Sequence, residues 1–389
     1  MTLRHEFVLL AMQENANIAE LCRRYDISRD IGYKWIRRFQ EGGPGALADR
    51  SRGPHTSPHK TPAHVEKAVI HARREHPGWG ARKIRSWLAR RLDRFGLVEA
   101  DLPAPSTITA ILHRGGLIAE EDSAKRVPFT RFERSRPNEL WQMDFRTCYT
   151  SEGDFLLQSG TRCFPLTVLD DHSRFSLSLQ ACRDQQHQTV KDQLTSIFRR
   201  YGLPDQMLMD NGPPWGSGAR TEQGRPYFSG LTAWMVRLGI TVAHGRPFHP
   251  QTQGKDERFH RTLDAELLRY VRLRDHDEAQ RRFDHYRRLY NTERPHEALA
   301  MQTPAERYEV SRRAFPETLL PVEYGPDDEV RKVDARAVIR FRGHSYKVGK
   351  AFRGESVALR PTMSDGLYVV YYCHQKIREI DLRHADPID

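Results

Sequence analysis

Trp141-Gln142-Met143-Asp144-Phe145-Arg146 is the point at which the chain changes period. Upstream, apolar residues recur every three or four positions. Here Trp141, Met143 and Phe145 alternate with Gln142, Asp144 and Arg146, the two-residue period of a strand with Asp144 on its polar face. Phe164-Pro-Leu-Thr-Val-Leu169 reads as a buried second strand. Phe175, Leu177 and Leu179, alternating with serines, read as a third, and three such strands in sequence can pair as an antiparallel meander. A helix follows with Val190, Leu194, Ile197, Phe198 and Tyr201 facing inward and Gly202 at its stop. Met207-Leu-Met209 is a short strand ending at Asp210-Asn-Gly212. Leu231, Trp234, Met235 and Leu238 mark another helix, and Ile240–Ala243 a fifth strand. Trp141 and Trp234, at core spacing, are expected to pack. The reading is a mixed five-stranded α/β sheet.

The helix after that fifth strand opens in His249-Pro-Gln-Thr-Gln-Gly-Lys-Asp-Glu-Arg-Phe-His-Arg-Thr-Leu263, with Gly254 as the last breaker. Glu257, Phe259, Leu263, Leu267 and Tyr270 form a helical stripe, with Arg258, Arg261 and Arg269 near it. A glutamate at a helix start balances the helix dipole. Its meaning changes beside Asp144 in the first strand and Asp210 at the carboxyl end of the fourth. Carboxyl ends of strands line the crevice of such sheets, so three carboxylates can converge on one edge. All-oxygen donors suit Mg²⁺ or Mn²⁺. Two such ions about 4 Å apart clamp the attacking and leaving oxygens of a displacement at phosphorus. Asp170 and Asp171 can either extend that site or cap the turn ahead of His172-Ser173-Arg174. His249 can touch DNA, orient Glu257 or shape the loop.

The formal charge of +11 is unevenly placed: residues 1–138 hold 25 Lys and Arg against 16 Asp and Glu. A polyanion held by the N-terminal third follows, and nucleic acid fits better than membrane because no basic amphipathic helix with an aromatic face occurs. In residues 1–42, Leu3, Phe7 and Leu10, then Ile18, Leu21 and Cys22, give two short helices. Tyr25-Asp-Ile27 makes the turn, and Ser28 caps a third helix with Ile31, Trp35, Ile36 and Phe39 inward. This is a helix-turn-helix layout, with Arg29, Tyr33, Lys34 and Arg37 outward to meet bases and phosphates. Residues 43–61 read as a Gly/Pro linker in which Arg50 and Arg52 can enter a minor groove. Residues 62–118 repeat the helical pattern around Val65, Ala68, Val69, Ala72, Ile84, Trp87 and Leu88. Ser106 is expected to cap a helix that exposes Thr107, Thr109 and Arg114 to DNA.

A basic connector, 119–138, carries Phe129 and Phe132 among its arginines. Beyond the core, 309–330 reads as a Pro-rich hinge. Residues 331–384 read as five short strands closing a small β-barrel, which carries Arg340, Arg342, Lys347, Lys350 and Arg353. No apolar run is long enough for a bilayer, and Arg4, His5 and Glu6 interrupt the start where a signal peptide needs its apolar stretch, so a cytoplasmic location is expected. The five scattered cysteines suit neither zinc nor a disulfide framework and are read as reduced, buried thiols.

Several motifs occur in a fixed order over about residues 139–308. They are Trp141-Gln-Met-Asp144-Phe, Leu166-Thr-Val-Leu-Asp-Asp-His-Ser-Arg174, Asp210-Asn-Gly, His249 to Arg258, and Tyr290-Asn-Thr-Glu-Arg-Pro-His296 with Thr303-Pro-Ala-Glu-Arg-Tyr308. Together they resemble the retroviral-integrase-type core of bacterial insertion-sequence transposases, and the N-terminal helix-turn-helix pair resembles a subgroup of them. The resemblance implies a ribonuclease-H-like fold and a DDE triad at Asp144, Asp210 and Glu257 holding two Mg²⁺ or Mn²⁺ ions. It further implies cleavage at the ends of a mobile element, its terminal inverted repeats, and transfer of the freed 3′-hydroxyl into double-stranded target DNA. At least two subunits would pair the ends.

There are two departures from the family pattern. The spacing of 47 residues between Asp210 and Glu257 exceeds the compact retroviral one, which the loop Pro213–Phe228 can absorb. The Lys or Arg common seven positions after the glutamate is Asp264 here, leaving Lys255 or Arg261 to supply a DNA-contacting cation beside Arg258.

Overall fold

The structure, a computed structural model, describes residues 3–49, 60–118, 133–146, 156–220, 226–245 and 254–383, with backbone only at 217–220 and 226–227. Arg50, Arg52, Phe129, Phe132, Cys148 and His249 lie outside the described residues. The chain divides into two compact units, Met1–Lys60 and Thr61–Asp389.

In the first unit, α1 (Leu3–Ala11), α2 (Ile18–Arg24) and α3 (Arg29–Gly42) pack around Phe7, Val8 and Cys22. Asn17 and Ser28 cap α2 and α3 by accepting from Glu20 N at 3.2 Å and Ile31 N at 3.3 Å. The buried face of α3 centres on Gly32, with Trp35 edge-on to Phe7, while Ile31, expected inward, is 41% exposed. The reason is room: a Cβ on Gly32 would stand 2.7 Å from Cys22 Sγ, so only glycine lets α3 approach this closely.

The second unit begins with α4 (Ala63–Glu75), α5 (Ala81–Ala89), the single turn α6 (Leu92–Phe95) and α7 (Pro105–Arg114). They enclose Val69, Trp79, Ile84, Trp87, Ile108 and Leu112. The cap expected at Ser106 is not there: α7 opens one residue earlier, with Pro105 in its first turn and Ala104 at the cap position. Proline's fixed φ is pre-organised for that place.

The core sheet comprises β1 (Leu140–Phe145), β2 (Phe164–Asp170), β3 (Ser176–Cys182), β4 (Gln206–Met209) and β7 (Thr241–His244), in the order β3-β2-β1-β4-β7. The first three strands form the expected antiparallel meander; β4 and β7 add in parallel. Helix α8 (His187–Tyr201) follows the meander. A small ribbon, β5 (Gly216–Arg220) with β6 (Pro226–Phe228), and α9 (Gly230–Arg237) lie between β4 and β7.

Helices α8 and α9 cover one apolar layer, containing Trp141, Met143, Val168 and Met207. Helices α10 (Gly254–Leu263) and α11 (His276–Thr292) cover another with Leu169 and Leu179. Since both faces are covered, Gln142 and Thr167 are buried despite their polarity, at 2% and 0% exposure. The buried face of α10 is Asp256, Phe259 and Leu263. Glu257 is exposed and Tyr270 is 53% exposed, so the stripe read through both is out by one residue at its start. A π turn, Asp264–Leu268, then breaks the helical period.

At the C-terminal end, β11 (Ser356–Pro361) lies between β8 (Glu329–Lys332) and β12 (Leu367–Tyr372), and β12 pairs on with β13 (Gln375–Asp381). Strands β9 (Val338–Phe341) and β10 (His344–Lys347) form a separate hairpin. The barrel expected here is therefore an open antiparallel sheet plus a hairpin. Asp334 makes the difference. Its carboxylate accepts from Arg336 N at 2.8 Å and Val338 N at 2.9 Å, forming a turn that peels β9 away from β8. Strand β8 itself begins within the stretch read as hinge. The sheet shares the core's apolar layer through Val357, Leu359 and Phe352, the last beside Phe228. The described cysteines are free; Cys22, Cys163 and Cys182 are buried and Cys373 half-buried.

Candidate active site

Strands β1 and β4 are parallel neighbours, so Asp144 near the end of β1 and Asp210 just past β4 come to the same edge of the sheet. Asp210 is exposed; its Oδ1 accepts from Gly212 N at 3.0 Å and from the Trp215 indole. Its backbone carbonyl accepts from His244 Nδ1 at 2.7 Å, tying β7 to the same corner. Helix α10 follows β7, and the charge of its exposed Glu257 reaches Asp144. Burial pushes the Asp144 carboxyl up to about 7, helped first by the Asp210 charge and more weakly by Glu257. The partly desolvated Asp144 carboxyl thus feels two further acidic groups. An all-carboxylate set carrying this much repulsion fits a divalent cation, which removes the repulsion and is satisfied by oxygen ligands.

The sequence did not single out the residues behind this edge. Asp256, fully buried on α10, accepts from Thr167 Oγ1 at 2.9 Å, and the same hydroxyl lies 2.8 Å from His260 Nε2 and 3.0 Å from the Asp144 carbonyl. Burial and the Asp144 charge hold the Asp256 carboxyl well above its ordinary range, while burial keeps the His260 imidazole neutral, down to about 3. The signal was present: Asp256 precedes Phe259 by three and Leu263 by seven, which places it on the apolar stripe, and His260 follows by four.

The remaining expected site residues divide into two groups. Arg29, Tyr33, Lys34 and Arg37 are exposed along α3. Thr109 is exposed with its hydroxyl on Pro105 O at 2.9 Å, Thr107 is half-buried, and Arg114 pairs with Glu66 at 2.7 Å. Lys255 turns inward to the buried Asp171, whereas Arg258 and Arg261 remain exposed beside a cleft of about 300 Å³. Asp170 caps its turn, accepting from Ser173 N at 2.8 Å and Ser173 Oγ at 2.6 Å. Asp171 accepts from Gln142 Nε2 at 2.8 Å, so both aspartates serve local structure.

Comparison with known proteins fits this arrangement. Residues 134–250 and 238–304 match integrase core domains, residues 4–55 a helix-turn-helix domain, and residues 31–112 a homeodomain-like domain. Residues 328–387 match the C-terminal domain of IS481 family transposases. The matches follow one another along the chain, from helix-turn-helix through integrase core to the C-terminal domain of an insertion-sequence transposase family. The chain is 26% identical over 170 residues to an uncharacterised 31.7 kDa protein of insertion element IS407 from Burkholderia multivorans, spanning 44% of this chain and 55% of that protein. It is also 26% identical over 141 residues to the Gag-Pol polyprotein of avian reticuloendotheliosis virus, 36% of this chain but 11% of the polyprotein. The chain therefore spans about a tenth to about half of these relatives.

Among solved structures, a simian T-cell lymphotropic virus intasome in complex with a PP2A regulatory subunit is similar at 15% identity and a TM-score of 0.36, covering 75% of this chain and 98% of that chain. The HTLV-2 integrase catalytic core with magnesium is similar at 14% identity and a TM-score of 0.31, covering 45% and 99%. Among the described residues no helix is long and apolar enough to cross a membrane.

Proposed function

We propose that the protein is a DDE-type insertion-sequence transposase that binds the terminal inverted repeats of its element through α3 and α7, cleaves phosphodiester bonds there, and joins the 3′-hydroxyl ends to target DNA. The observation that carries this reading is that Asp144 and Asp210 stand at one sheet edge, where the charges of Asp210 and Glu257 both raise the Asp144 carboxyl, on a chain that also bears helix-turn-helix modules. Asp144, Asp210 and Glu257 would hold two Mg²⁺ or Mn²⁺ ions. When bound, the ions supply charge neutralisation and activation of the attacking oxygen.

The chain's own residues then have distinct tasks. Trp215 and Gly212 N fix the Asp210 carboxylate from behind, leaving its other oxygen toward the site. Arg258 and Arg261, on the exposed side of α10 around Glu257, hold the DNA backbone close to the carboxylates by charge. Arg29, Tyr33, Lys34 and Arg37 read the repeat, with Thr107, Thr109 and Arg114 extending the contact. The linker arginines 50 and 52 continue it into a minor groove. Pairing two ends calls for at least two copies of the chain.

The test uses purified protein, Mg²⁺, a labelled duplex bearing the element end and a plasmid target. Joined product supports the proposal. End binding alone would make the protein a DNA-binding repressor, and nicks without joining would make it a nuclease. Asp144→Asn, Asp210→Asn and Glu257→Gln should each abolish joining and preserve end binding; a variant that still joins DNA removes its residue from the triad.

A further inference from the structure

A second group of ligands lies against the first and uses residues outside the triad. One ligand atom from each of Asp144, Asp256 and His260 lies within 4.8 Å of the other two. Asp256 and His260 are four residues apart on α10, so they project from the same helix face. Thr167 on β2 fixes both, at 2.9 Å from Asp256 Oδ1 and 2.8 Å from His260 Nε2.

The polar atoms here do not balance. The Thr167 hydroxyl has one proton to give. The Asp144 carbonyl and Asp256 Oδ1 both lie within hydrogen-bond distance of it, and it can serve only one of them when Asp256 is ionised. Asp256 Oδ2 is buried and has no hydrogen-bond partner among the described residues. The side chain is fully buried beside a second acidic group, and Arg146, just past β1, is engaged by Asp264 at 2.6 Å. An unpaired buried carboxylate oxygen is costly, and a cation would satisfy it together with the competing lone pairs.

We propose that Asp144, Asp256 and His260 form a divalent-cation site that prefers Mn²⁺ to Mg²⁺. The preference follows from the donors: a neutral imidazole is a good ligand for a transition metal and a poor one for Mg²⁺, which keeps to oxygen and gives up water reluctantly. The site shares Asp144 with the proposed triad, yet its existence does not depend on the joining reaction.

The full-length protein is titrated with Mn²⁺ alone and followed by electron paramagnetic resonance. The wild type should show a bound ion with ¹⁴N modulation from the imidazole, and Asp210→Asn should retain that signal. His260→Gln should lose the nitrogen modulation, and the isosteric Asp256→Asn should weaken this ion at least tenfold. A roughly hundredfold excess of Mg²⁺ should fail to displace it completely. Absent nitrogen modulation in the wild type, or unchanged affinity in Asp256→Asn, overturns the proposal. His260→Gln preserves the buried acid pair, so it keeps the test decisive if Asp256→Asn does not fold. Loss of joining in the triad variants is a separate readout, so either reading can fail without the other.

Discussion

Arg146, two residues beyond Asp144, and Asp264, seven beyond Glu257, form an ion pair at 2.6 Å. It joins the end of β1 to the turn that continues α10, and so links the elements carrying two of the three carboxylates. Asp264, standing where the resemblance implies a cation, thus receives a positive partner from the residue just past β1. Asp264 is 44% exposed, so the pair is worth only about 0.5–1 kcal/mol of stability. Its effect on position is larger, since a misplacement of about 1 Å at a reacting centre can cost 10²-fold in rate. Asp264→Ala should therefore barely move the denaturation midpoint while slowing joining by at least tenfold. Equal losses in end binding and joining would contradict this.

Glu266 sits at 7% exposure between Arg294, at 2.8 Å, and Lys83, at 3.4 Å, and so fastens α5 to the core. Burial, then the Arg294 charge, pushes the Lys83 ammonium down to about 8. Glu266→Gln would leave two buried cations facing each other, and a loss of about 3–5 kcal/mol is expected. Chemical denaturation measures it; a loss under about 1 kcal/mol would mean that water reaches the cluster.

Gly32→Ala tests the packing of α3. Its new Cβ would meet Cys22 Sγ at 2.7 Å and the Phe7 ring at 2.9 Å, which should cost about 1–3 kcal/mol and weaken end binding without touching DNA. A gel-shift titration beside a thermal melt checks both effects. Unchanged stability would show that α1 moves away freely.

His296 predicts a pH dependence. Burial first, then the Arg294 charge, holds its imidazole well below the ordinary value. The unfolded chain takes up a proton near pH 6.5 that the folded chain refuses. The folded state is thus favoured above pH 6.5 and loses about 1.4 kcal/mol per unit below it from a fully shifted histidine. Unfolding midpoints measured from pH 7 to 5 should fall less steeply in His296→Gln than in the wild type. Parallel slopes would exclude this histidine as the cause.

Where one periodic face decides burial, the elements were legible in the sequence. Trp141, Met143 and Phe145 mark β1, Val190 to Tyr201 mark α8, and Asp210 and Glu257 fall at element ends as read. Places decided by contact between distant segments were not legible. Ile31 is exposed because Gly32 draws α3 against Phe7. Ser106 gives way to Pro105 as the helix start, and Asp334 turns β9 out of the sheet that was expected to close. Gln142 looked like a polar-face residue until α10 and α11 covered that side.

The sequence by itself determined the order of strands and helices and the identity of three carboxylates at their ends, because both follow from short-range periodicity and breakers. Only the tertiary structure decided which side of α10 faces the sheet. Packing of Phe259 and Leu263 against Leu169 and Leu179 sets that rotation. The same rotation buries Asp256 against Asp144 and leaves Glu257 on the exposed side.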